Sequence, residues 1–403
     1  MAVVMDGLED YGGQHGQAAA IAAGMSGLGH EVCYVSRWPL VRQGERLATL
    51  RRAGVEVLTP RWLGGRTLGL GLLPTPDNRA RLRRLLRASW RQRTLPSRAL
   101  MTSAGVPDEA ASDFARIATG LLERWRKTRT GDLPLVVHVV ARGSAQYLDR
   151  LKTIGAPVVF SEFGQLALYG LDLERADRLM VDACTADSPE GARDLEQLES
   201  QRVSFIPCIA GFDSEPTAVG DHAERFALTN RLVASKRTET AVEAAALGRF
   251  ELDMLGSGPE EQRLLDLVEK LGLSGRVRLH GLATRSEIQA ALDAADGLVL
   301  CSLPPDEGTP MGVIEAMSRA RPVVAYPTEG VQALVRDGVE GLSFDGSPAS
   351  LAASLNRLVD EPGLARRLGL AARERWEREL RPSALIARYE AIYRDVLSRA
   401  RPR

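Results

Sequence analysis

The sequence has few lysines, few aromatic residues and no excess of charge of either sign. Lysine and arginine together number 52, and aspartate and glutamate together also number 52, so the formal net charge is zero. A general nucleic-acid binder carries a clear basic excess, and this balance argues against that class. The chain contains only four lysines, which makes each one more informative: Lys127, Lys152, Lys236 and Lys270.

Cysteine is also scarce, and the pattern of the few that occur excludes several kinds of site. The chain contains four cysteines, which are far apart and form no Cys-x-x-Cys pair: Cys33, Cys184, Cys208 and Cys301. This predicts no zinc site and a reducing, cytoplasmic compartment. No apolar run reaches about 18 residues, so we predict no membrane span. The opening MAVVMDGLED lacks a basic segment, so we expect no signal peptide.

Short apolar runs of strand length alternate with helical patterns through most of the 403 residues. The runs are continuously apolar, as in parallel strands that are buried on both faces. We predict strands at 2–5, 31–35, 55–59, 135–140, 157–161, 178–182 and 203–207, then at 225–230, 251–256, 276–281, 297–302 and 322–327. Helical patterns include 14–28, 259–271, 285–294, 310–320 and 383–400. The two series predict an α/β protein with two doubly wound domains, joined by the irregular segment 207–226.

The segment DEGTPMGVIEAMS, residues 306–318, joins a strand-like run to a helical pattern. Thr309 is a good N-cap residue, and Pro310 suits the first helical position. The backbone amides of Met311 and Gly312 would then be unpaired at a helix N-terminus, where the helix dipole favours an anion. Gly312 would also let a ligand approach the backbone closely.

Two carboxylates flank this turn. Glu307 precedes it, and because like charges repel, a carboxylate there suggests a neutral, hydroxyl-rich group such as a sugar. Glu315 lies about 8 to 9 Å along the helix, which suits another hydroxyl-bearing group such as a ribose. Hydroxyls, an anion and further hydroxyls together indicate a nucleoside-diphosphate sugar. The alternative is a surface loop with two solvated glutamates.

Two cations follow the first strand of the second series, in the segment TNRLVASKR at 229–237. Arg231 and Lys236 lie at the carboxyl end of that strand, where open α/β sheets bind ligands, and they would suit a diphosphate. The alternative is an exposed pair at a helix start. A glycine-rich loop at 10–20 could present amides to a phosphate or form a tight turn. It lacks the Gly-x-Gly-x-x-Gly pattern, which argues against a nicotinamide cofactor.

Together these residues resemble the family-four, or group 1, retaining glycosyltransferases, which have the GT-B fold. The resemblance covers about residues 1–36 and 135–395. It is carried by these segments, in the family's order and spacing: GGQHGQAAAIAAGMSGLGHEVCYVS, IPCIAGFD, TNRLVASKR, LDMLGSGPEEQRLLDLVEKLGLSGRVRLHG, DEGTPMGVIEAMSRARPVVAYPTEGVQALVRDGVEGLSF and SLAASLNRLVDEP.

The resemblance implies two Rossmann-like domains facing a cleft, with a final helix that crosses back to the first domain. The N-terminal acceptor domain would be 1–207, completed by 383–403, and the C-terminal nucleotide-sugar domain would be 208–382. Family members move a sugar from a nucleoside-diphosphate sugar to an acceptor hydroxyl with retention, usually without a metal. We therefore expect a nucleotide sugar as co-substrate, a small-molecule or glycan acceptor, and no other cofactor.

The same resemblance assigns roles to individual residues. Arg231 and Lys236 would contact the diphosphate, and Glu315 would bind the ribose hydroxyls. Glu307 would act at the donor sugar. The other donor-binding residues would be Thr309, Met311 and Gly312 in the turn and Gly13 from the first domain.

The chain departs from the family at two places. Many members have glycine where this chain has Pro310, a subgroup trait that would affect donor choice. Many also have His-x-His at the strand end where this chain has His138 and, in the second place, Val140. His138 is therefore either catalytic or a structural residue of an apolar strand. Glu162 and, on the acceptor side, His15 are further polar candidates for a base or a hydroxyl ligand.

Other interpretations remain open at the level of the sequence. The arginine-rich pattern at 79–98 could dock on an anionic membrane surface or a phosphorylated acceptor, or it could be a solvated helix face. Its single aromatic residue, Trp90, argues against nucleic acid. The same fold would also suit a phosphorylase or a sugar-nucleotide epimerase. Because Val140 replaces a histidine, a sugar-nucleotide-binding protein without catalysis is a third possibility.

Overall fold

The computed structural model describes residues 1–5, 13–36, 45–58, 109–129, 134–140, 151–163, 181–199, 203–303 and 308–400. Over these residues the chain divides into two compact units. The first comprises Met1–Ser161, Leu179–Ala183 and Tyr393–Arg403, and the second comprises Glu162–Arg178 and Cys184–Ile392. Among the described helices, none combines the length and the apolar character that crossing a bilayer requires.

The first sheet contains seven described strands: β1 (Ala2–Met5), β2 (Cys33–Ser36), β3 (Glu56–Leu58), β4 (Val137–Val140), β5 (Val158–Glu162), β6 (Ala183–Ala186) and β7 (Val203–Phe205). Their order is β3-β2-β1-β4-β5-β6-β7. In parallel register, Val3 of β1 pairs with Tyr34 on one side and with His138 on the other. The chain runs outward from β1 to β3 and returns at β4, so the strand order reverses between β1 and β4.

The helices described in this part of the sequence are α1 (Gly13–Gly27), α2 (Glu45–Arg52), α3 (Glu109–Lys127) and α4 (Pro189–Glu199). Helix α1 buries its small and apolar residues Ala18, Ile21, Ala22 and Met25. Strand β4 is buried at every position, as the continuous apolar run predicted.

The second sheet contains six described strands: β8 (Arg225–Thr229), β9 (Glu251–Leu255), β10 (Val277–Gly281), β11 (Gly297–Leu300), β12 (Val323–Ala325) and β13 (Gly341–Ser343). Their order is β10-β9-β8-β11-β12-β13. Strands β8 and β11 pair in parallel, with Leu298 opposite Ala227. Because β9 and β10 lie on one side of β8 and β11 to β13 on the other, the order reverses between β8 and β11.

The helices of this second region are α5 (Thr238–Leu247), α6 (Glu261–Lys270), α7 (Arg285–Ala294), α8 (Met311–Ser318), α9 (Glu329–Gln332), α10 (Pro348–Asp360), α11 (Leu364–Arg375) and α12 (Pro382–Ala400). A 3₁₀ turn covers Ala234–Lys236, and a π-helical turn covers Trp376–Leu380. One buried cluster joins β8 and β9 to α5 and α10, and it includes Phe226, Leu252, Val242 and Leu355.

The predicted α/β class and both doubly wound sheets are confirmed, and the helices predicted at 14–28, 259–271, 285–294, 310–320 and 383–400 are all present. The final helix returns to the first unit from Tyr393 onward, as the resemblance implied. Of the strand predicted at 178–182, residues 178–180 lie outside the described part of the chain, and Val181 and Asp182 precede β6, which starts at Ala183. The backbone bends at Asp182, whose carboxylate accepts a hydrogen bond of 2.7 Å from the Val158 amide.

Candidate functional site

The predicted donor-binding residues of the second half lie on two segments that leave neighbouring strands at the same edge of the second sheet, while Gly13 lies on α1 in the first unit. Arg231 and Lys236 follow β8, while Thr309, Met311 and Gly312 follow β11. Since β8 and β11 are parallel neighbours, both segments leave from their carboxyl ends. The strand order reverses between these two strands, and open α/β sheets bind ligands at such reversals.

The segment after β8 is fixed by backbone hydrogen bonds to the end of β9 and to the loop that follows it. The Asn230 amide donates to the Leu255 carbonyl at 3.1 Å, and the Leu232 amide donates to Ser257 at 3.0 Å. Arg231 lies between them with its side chain exposed, and its guanidinium forms no hydrogen bond or ion pair with the described part of the chain. The backbone around this guanidinium is therefore held, while the guanidinium itself is available to a ligand.

Lys236 ends the 3₁₀ turn after β8 and is 9% exposed. The next residue, Arg237, has a φ of 47° and a ψ of 40°, which is the left-handed region. It forms the N-cap of α5 without a capping side chain. Left-handed backbone is uncommon for a residue with a β-carbon, so the chain holds this arginine in an unfavourable conformation beside Lys236.

The start of α8 packs tightly on the end of β8. A β-carbon added to Gly312 would lie 2.8 Å from the Thr229 hydroxyl oxygen and 3.4 Å from its carbonyl oxygen. Real β-carbons essentially never approach another heavy atom more closely than 3.0 Å. Glycine is therefore required here by close packing, and it brings the first turn of α8 against the strand that leads to Arg231.

The predicted N-cap of this helix is wrong by one residue. Pro310, with φ −72° and ψ 119°, occupies the N-cap position of α8, and no side chain caps the helix. Thr309 precedes it, is 4% exposed, and belongs to a stretch pressed against Gly330. A β-carbon on Gly330 would lie 2.0 Å from the Gly308 carbonyl oxygen. This contact fixes the backbone before the helix and moves Thr309 out of the capping position.

Three buried polar atoms belong to the end of β8 and to the two segments. The Thr229 hydroxyl, the Asn230 side-chain amide nitrogen and the Thr309 hydroxyl have no hydrogen-bond partner among the described atoms. Buried polar groups in native proteins are nearly always hydrogen-bonded to protein, water or a ligand. These atoms thus supply hydrogen-bonding capacity that a polar ligand could use.

Glu315 lies on the second turn of α8 with its side chain 13% exposed. Burial raises the pKa of this carboxyl to about 7, and the nearby Arg285 guanidinium opposes the rise. The two side chains lie 3.5 Å apart, from Nη1 to Oε1. A carboxylate in this position can accept two hydrogen bonds from hydroxyl groups, as a ribose would offer.

In the first unit, His138 is fully buried on β4 with both ring nitrogens occupied. Nδ1 lies 2.6 Å from the Tyr393 hydroxyl, and Nε2 lies 2.6 Å from the Ser161 hydroxyl. Burial lowers the pKa of the ring to about 3, so it is neutral at physiological pH. This geometry favours the structural interpretation of His138 and gives its catalytic interpretation no support.

The remaining predicted site residues are Glu162, Gly13, His15 and Glu307. Glu162 is the last residue of β5 and is fully buried. Gly13 is the first residue of α1, and His15 lies on the same helix, where its side chain is outside the described part. Glu307 and the basic segment 79–98 lie outside the described residues. Within the described part, no group of three or more His, Cys, Asp or Glu side chains could hold a metal ion.

Thr229, Asn230 and Arg285 were not among the site residues predicted from the sequence. The first two are polar residues that directly follow a buried run, which is a usable signal for a site at a strand end. Arg285 follows Thr284, whose hydroxyl accepts a hydrogen bond from the Glu287 amide in a capping box. That pattern indicates a helix start, but nothing in it indicates contact with a residue thirty positions later.

Comparison with known proteins gives the family. A family model described as glycosyl transferases group 1 matches residues 213–375. Alpha-D-kanosaminyltransferase of Streptomyces kanamyceticus is 30% identical over 282 residues, which are 66% of this chain and 71% of that protein. D-inositol 3-phosphate glycosyltransferase of Streptomyces bingchenggensis is 37% identical over 125 residues, which are 30% of this chain and 27% of the relative. For the first three curated relatives, the chain spans 27% to 40% of their own length.

Solved structures give the fold. The crystal structure of HepE from Anabaena in complex with UDP and glucose is similar, with a TM-score of 0.69. The match covers 98% of this chain and 99% of HepE at 15% sequence identity, so it bears on the fold alone. The two parallel α/β sheets, the group 1 model and the kanosaminyltransferase match agree, and the chain belongs to the group 1 glycosyltransferases and has their GT-B fold.

Proposed function

We propose that this protein transfers a sugar from a nucleoside-diphosphate sugar to a hydroxyl group of a small-molecule or glycan acceptor, with retention of the anomeric configuration. One observation carries most of the weight. Arg231 and Lys236 on one segment and Thr309, Met311 and Gly312 on another are about 75 positions apart, and both segments leave adjacent strands at the strand-order reversal of the second sheet.

The positive charges and hydrogen-bond donors at this edge of the second sheet suit a diphosphate. Arg231 offers an exposed planar fork, and Lys236 follows it at the end of the same segment. The first amides of α8 add hydrogen-bond donors and the positive end of the helix dipole. During transfer the leaving diphosphate gains negative charge, so groups fixed in advance around it would lower the barrier.

The polar atoms beside the cations suit the rest of the donor. Glu315 would accept hydrogen bonds from the two ribose hydroxyls, because its carboxylate is buried and close to the start of α8. The Thr229 and Thr309 hydroxyls and the Asn230 amide would bind phosphate or sugar oxygens. Glu307 would act at the donor sugar. The presence of UDP and glucose in the HepE crystal makes uridine nucleotides the first to test.

Donor consumption tests this proposal. The protein would be incubated with UDP-, GDP-, ADP- and dTDP-sugars, with and without a panel of hydroxyl acceptors. Release of nucleoside diphosphate would be measured, and the anomeric proton coupling of the product would be read by NMR. We expect one donor to be consumed only with an acceptor, with the donor's anomeric configuration kept, and with activity unchanged by EDTA.

Glu307→Ala is the variant that tests the residue proposed to act at the donor sugar. It should abolish transfer without lowering the melting temperature. Product with inverted configuration would contradict retention. Consumption that requires inorganic phosphate, or product that forms without any acceptor, would instead indicate a phosphorylase or an epimerase. Donor binding without any turnover would indicate a binding protein.

A further inference from the structure

Arg285, the first residue of α7, has a role that its position in the sequence does not suggest. Its guanidinium donates a hydrogen bond to the Gly211 carbonyl and stacks over the Phe212 ring, 4.5 Å from the centroid. Its Nη1 atom also lies 3.5 Å from Oε1 of the Glu315 carboxylate. Guanidinium groups favour this combination of a planar stack and a directed hydrogen bond.

The groups that hold this guanidinium are fixed to the helix that carries Glu315. The Phe212 amide donates to the Ser318 hydroxyl at 3.0 Å, and that hydroxyl donates to the Glu315 carbonyl at 2.6 Å. Gly211 cannot carry a side chain, because its φ is 104° and a β-carbon would lie 2.5 Å from the Trp376 indole nitrogen. Hydrogen bonds therefore link Arg285 to residues 211–212, and residues 211–212 to the helix α8 that carries the Glu315 carboxylate.

The start of α7 is fixed as well. The Glu287 amide donates to the Thr284 hydroxyl at 3.3 Å, and the Glu287 carboxylate accepts from the Thr284 amide at 2.7 Å. This reciprocal cap sets the direction in which the side chain of Arg285 leaves the helix. The cap thus constrains the backbone of Arg285, and the Phe212 ring constrains its guanidinium, which lies beside Glu315.

We propose that Arg285 is a positioning residue for donor binding, which holds the Glu315 carboxylate in place for the two ribose hydroxyls. The inference rests on the proposed function, because it takes a nucleotide ribose as the ligand of Glu315. It adds a specific consequence: Arg285 sets how strongly the site prefers a ribonucleotide over its 2′-deoxy counterpart, and over what pH range it does so.

The charge of Arg285 matters because the carboxylate is buried. Burial raises the pKa of Glu315 to about 7, and Arg285 is the one charged group that counteracts it. Removing the guanidinium leaves the desolvation unopposed, so the carboxyl would be protonated at neutral pH. A protonated carboxyl donates one hydrogen bond and accepts fewer, so it cannot bind both ribose hydroxyls as acceptor.

Other charged groups near α8 are occupied elsewhere. Strands β11 and β12, which precede and follow α8, carry no titratable side chains at Gly297–Leu300 and Val323–Ala325. From α11, Arg373 donates to the Ser318 carbonyl at the far end of α8 and pairs with Glu377 at 2.8 Å.

On the adjoining helix α7, Asp293 pairs with Arg319 at 2.7 Å. Among the described groups, Arg285 is therefore the one whose removal should change the charge of Glu315.

The test compares each ribonucleotide with its 2′-deoxy counterpart. Titration of the phosphates affects both affinities equally, so it cancels in their ratio. Affinities for UDP and 2′-deoxy-UDP would be measured by calorimetry between pH 6 and 9, with the GDP and ADP pairs in parallel. The ratio within each pair is the ribose preference. It would be measured in the wild type, Arg285→Lys, Arg285→Gln and Arg285→Ala, with Arg367→Ala as an exposed control on α11.

We expect the wild type to prefer the ribonucleotide of the pair that it binds by about tenfold or more at pH 7.5, the range of a charge-assisted hydrogen bond. Arg285→Gln and Arg285→Ala should lose most of that preference at pH 7.5 and regain part of it at pH 9, where Glu315 ionises. Arg285→Lys should follow the wild-type pH profile, because the charge is retained. Arg367→Ala should match the wild type.

Two results would overturn the inference, and they are distinguishable. If Arg285→Gln and Arg285→Ala bind the nucleotide with the wild-type ribose preference and pH profile, Arg285 does not position Glu315, and the proposed function stands. If the wild type binds no nucleotide of the panel, the proposed function fails together with the inference. Arg285→Gln keeps a donor for Gly211, so it separates loss of charge from loss of the stacked contact should Arg285→Ala unfold.

Discussion

Gly312 in the first turn of α8 lies so close to Thr229 at the end of β8 that a β-carbon on the glycine would be 2.8 Å from the threonine hydroxyl. The two residues belong to the two segments that carry the candidate donor site. Their contact fixes the distance between the start of α8 and the segment that leads to Arg231 and Lys236. Glycine at this position is therefore favoured by close packing alone.

We predict that Gly312→Ala lowers the free energy of unfolding by about 1 to 3 kcal/mol, the usual effect of overpacking a close contact. Chemical denaturation would measure it. Thr229→Ala combined with Gly312→Ala should recover part of the loss, because the nearest atom is then absent and the two positions are coupled. Gly275→Ala is the control, since a β-carbon there meets nothing within 4 Å. Additive effects of the two substitutions would contradict this account of the contact.

Thr309→Val should stabilise the unliganded protein and weaken nucleotide-sugar binding. The substitution keeps the shape of the side chain and removes a buried hydroxyl that has no partner among the described residues. Removing an unsatisfied buried polar group is worth about 1 kcal/mol. Thermal melts with and without donor would show a higher melting temperature alone and a smaller shift on binding. A variant less stable than the wild type, with unchanged binding, would refute the role given to this hydroxyl.

Arg237→Gly should raise the free energy of unfolding. Arg237 has a φ of 47°, and left-handed backbone costs a residue with a β-carbon about 1 to 2 kcal/mol. Glycine avoids that cost but increases the conformational entropy of the unfolded chain, which costs about 0.5 to 1 kcal/mol, so a net gain of up to about 1.5 kcal/mol remains. Denaturant unfolding would measure the gain, and Arg237→Ala, which keeps the β-carbon, is the control. A loss of stability in the glycine variant, with stability kept in the alanine variant, would contradict backbone strain.

His138 should make the protein less stable in acid. Burial lowers the pKa of its ring from 6.5 to about 3, so below pH 6.5 the unfolded chain binds a proton that the folded chain does not. Above pH 6.5 the buried neutral ring of His138 makes its full contribution to the free energy of unfolding. That contribution falls by about 1.4 kcal/mol per pH unit as the pH is lowered from 6.5 to 3.

His138→Gln, compared with the wild type by denaturation from pH 7.5 to 4.5, should show a shallower decline. His222→Gln, which alters an exposed histidine, should follow the wild type. Parallel stability profiles for the wild type and His138→Gln would show that the ring titrates normally in the folded protein.

The periodicity of the sequence was sufficient to predict the two sheets, because buried parallel strands such as 135–140 form continuous apolar runs. The prediction failed for strands that do not consist of a continuous apolar run. Strand β13, Gly341–Ser343, is too short and too polar to be distinguished, and β6 consists of small residues after Asp182. These strands exist because neighbouring strands pair with them, and single-sequence patterns do not contain that information.

The candidate site was predictable in part. Arg231 and Lys236 follow a recognisable strand, and Glu315 follows a recognisable helix start. The Thr309 cap was not predictable, since the position of that residue depends on the approach of Gly330 to Gly308. The contact between Arg285 and Glu315 was not predictable either. It joins two helices through Phe212 of the irregular segment after β7, and its partners are decided by tertiary packing.

The central claim is that the edge of the second sheet between β8 and β11 binds a nucleoside diphosphate. Calorimetric titration of UDP, GDP, ADP and dTDP into the wild type, Arg231→Ala and Arg367→Ala tests it most directly. Arg367 is a fair control because it lies in the first turn of α11. The Gly363 amide just before that helix donates at 2.7 Å to Asp221, which precedes β8 and thus lies at the opposite edge of the sheet.

We predict that at least one nucleotide binds the wild type, that Arg231→Ala weakens its binding by about tenfold or more, and that Arg367→Ala leaves it unchanged. Equal affinities for the wild type and Arg231→Ala, or no binding of any of the four nucleotides, would contradict the assignment of this edge as the donor site.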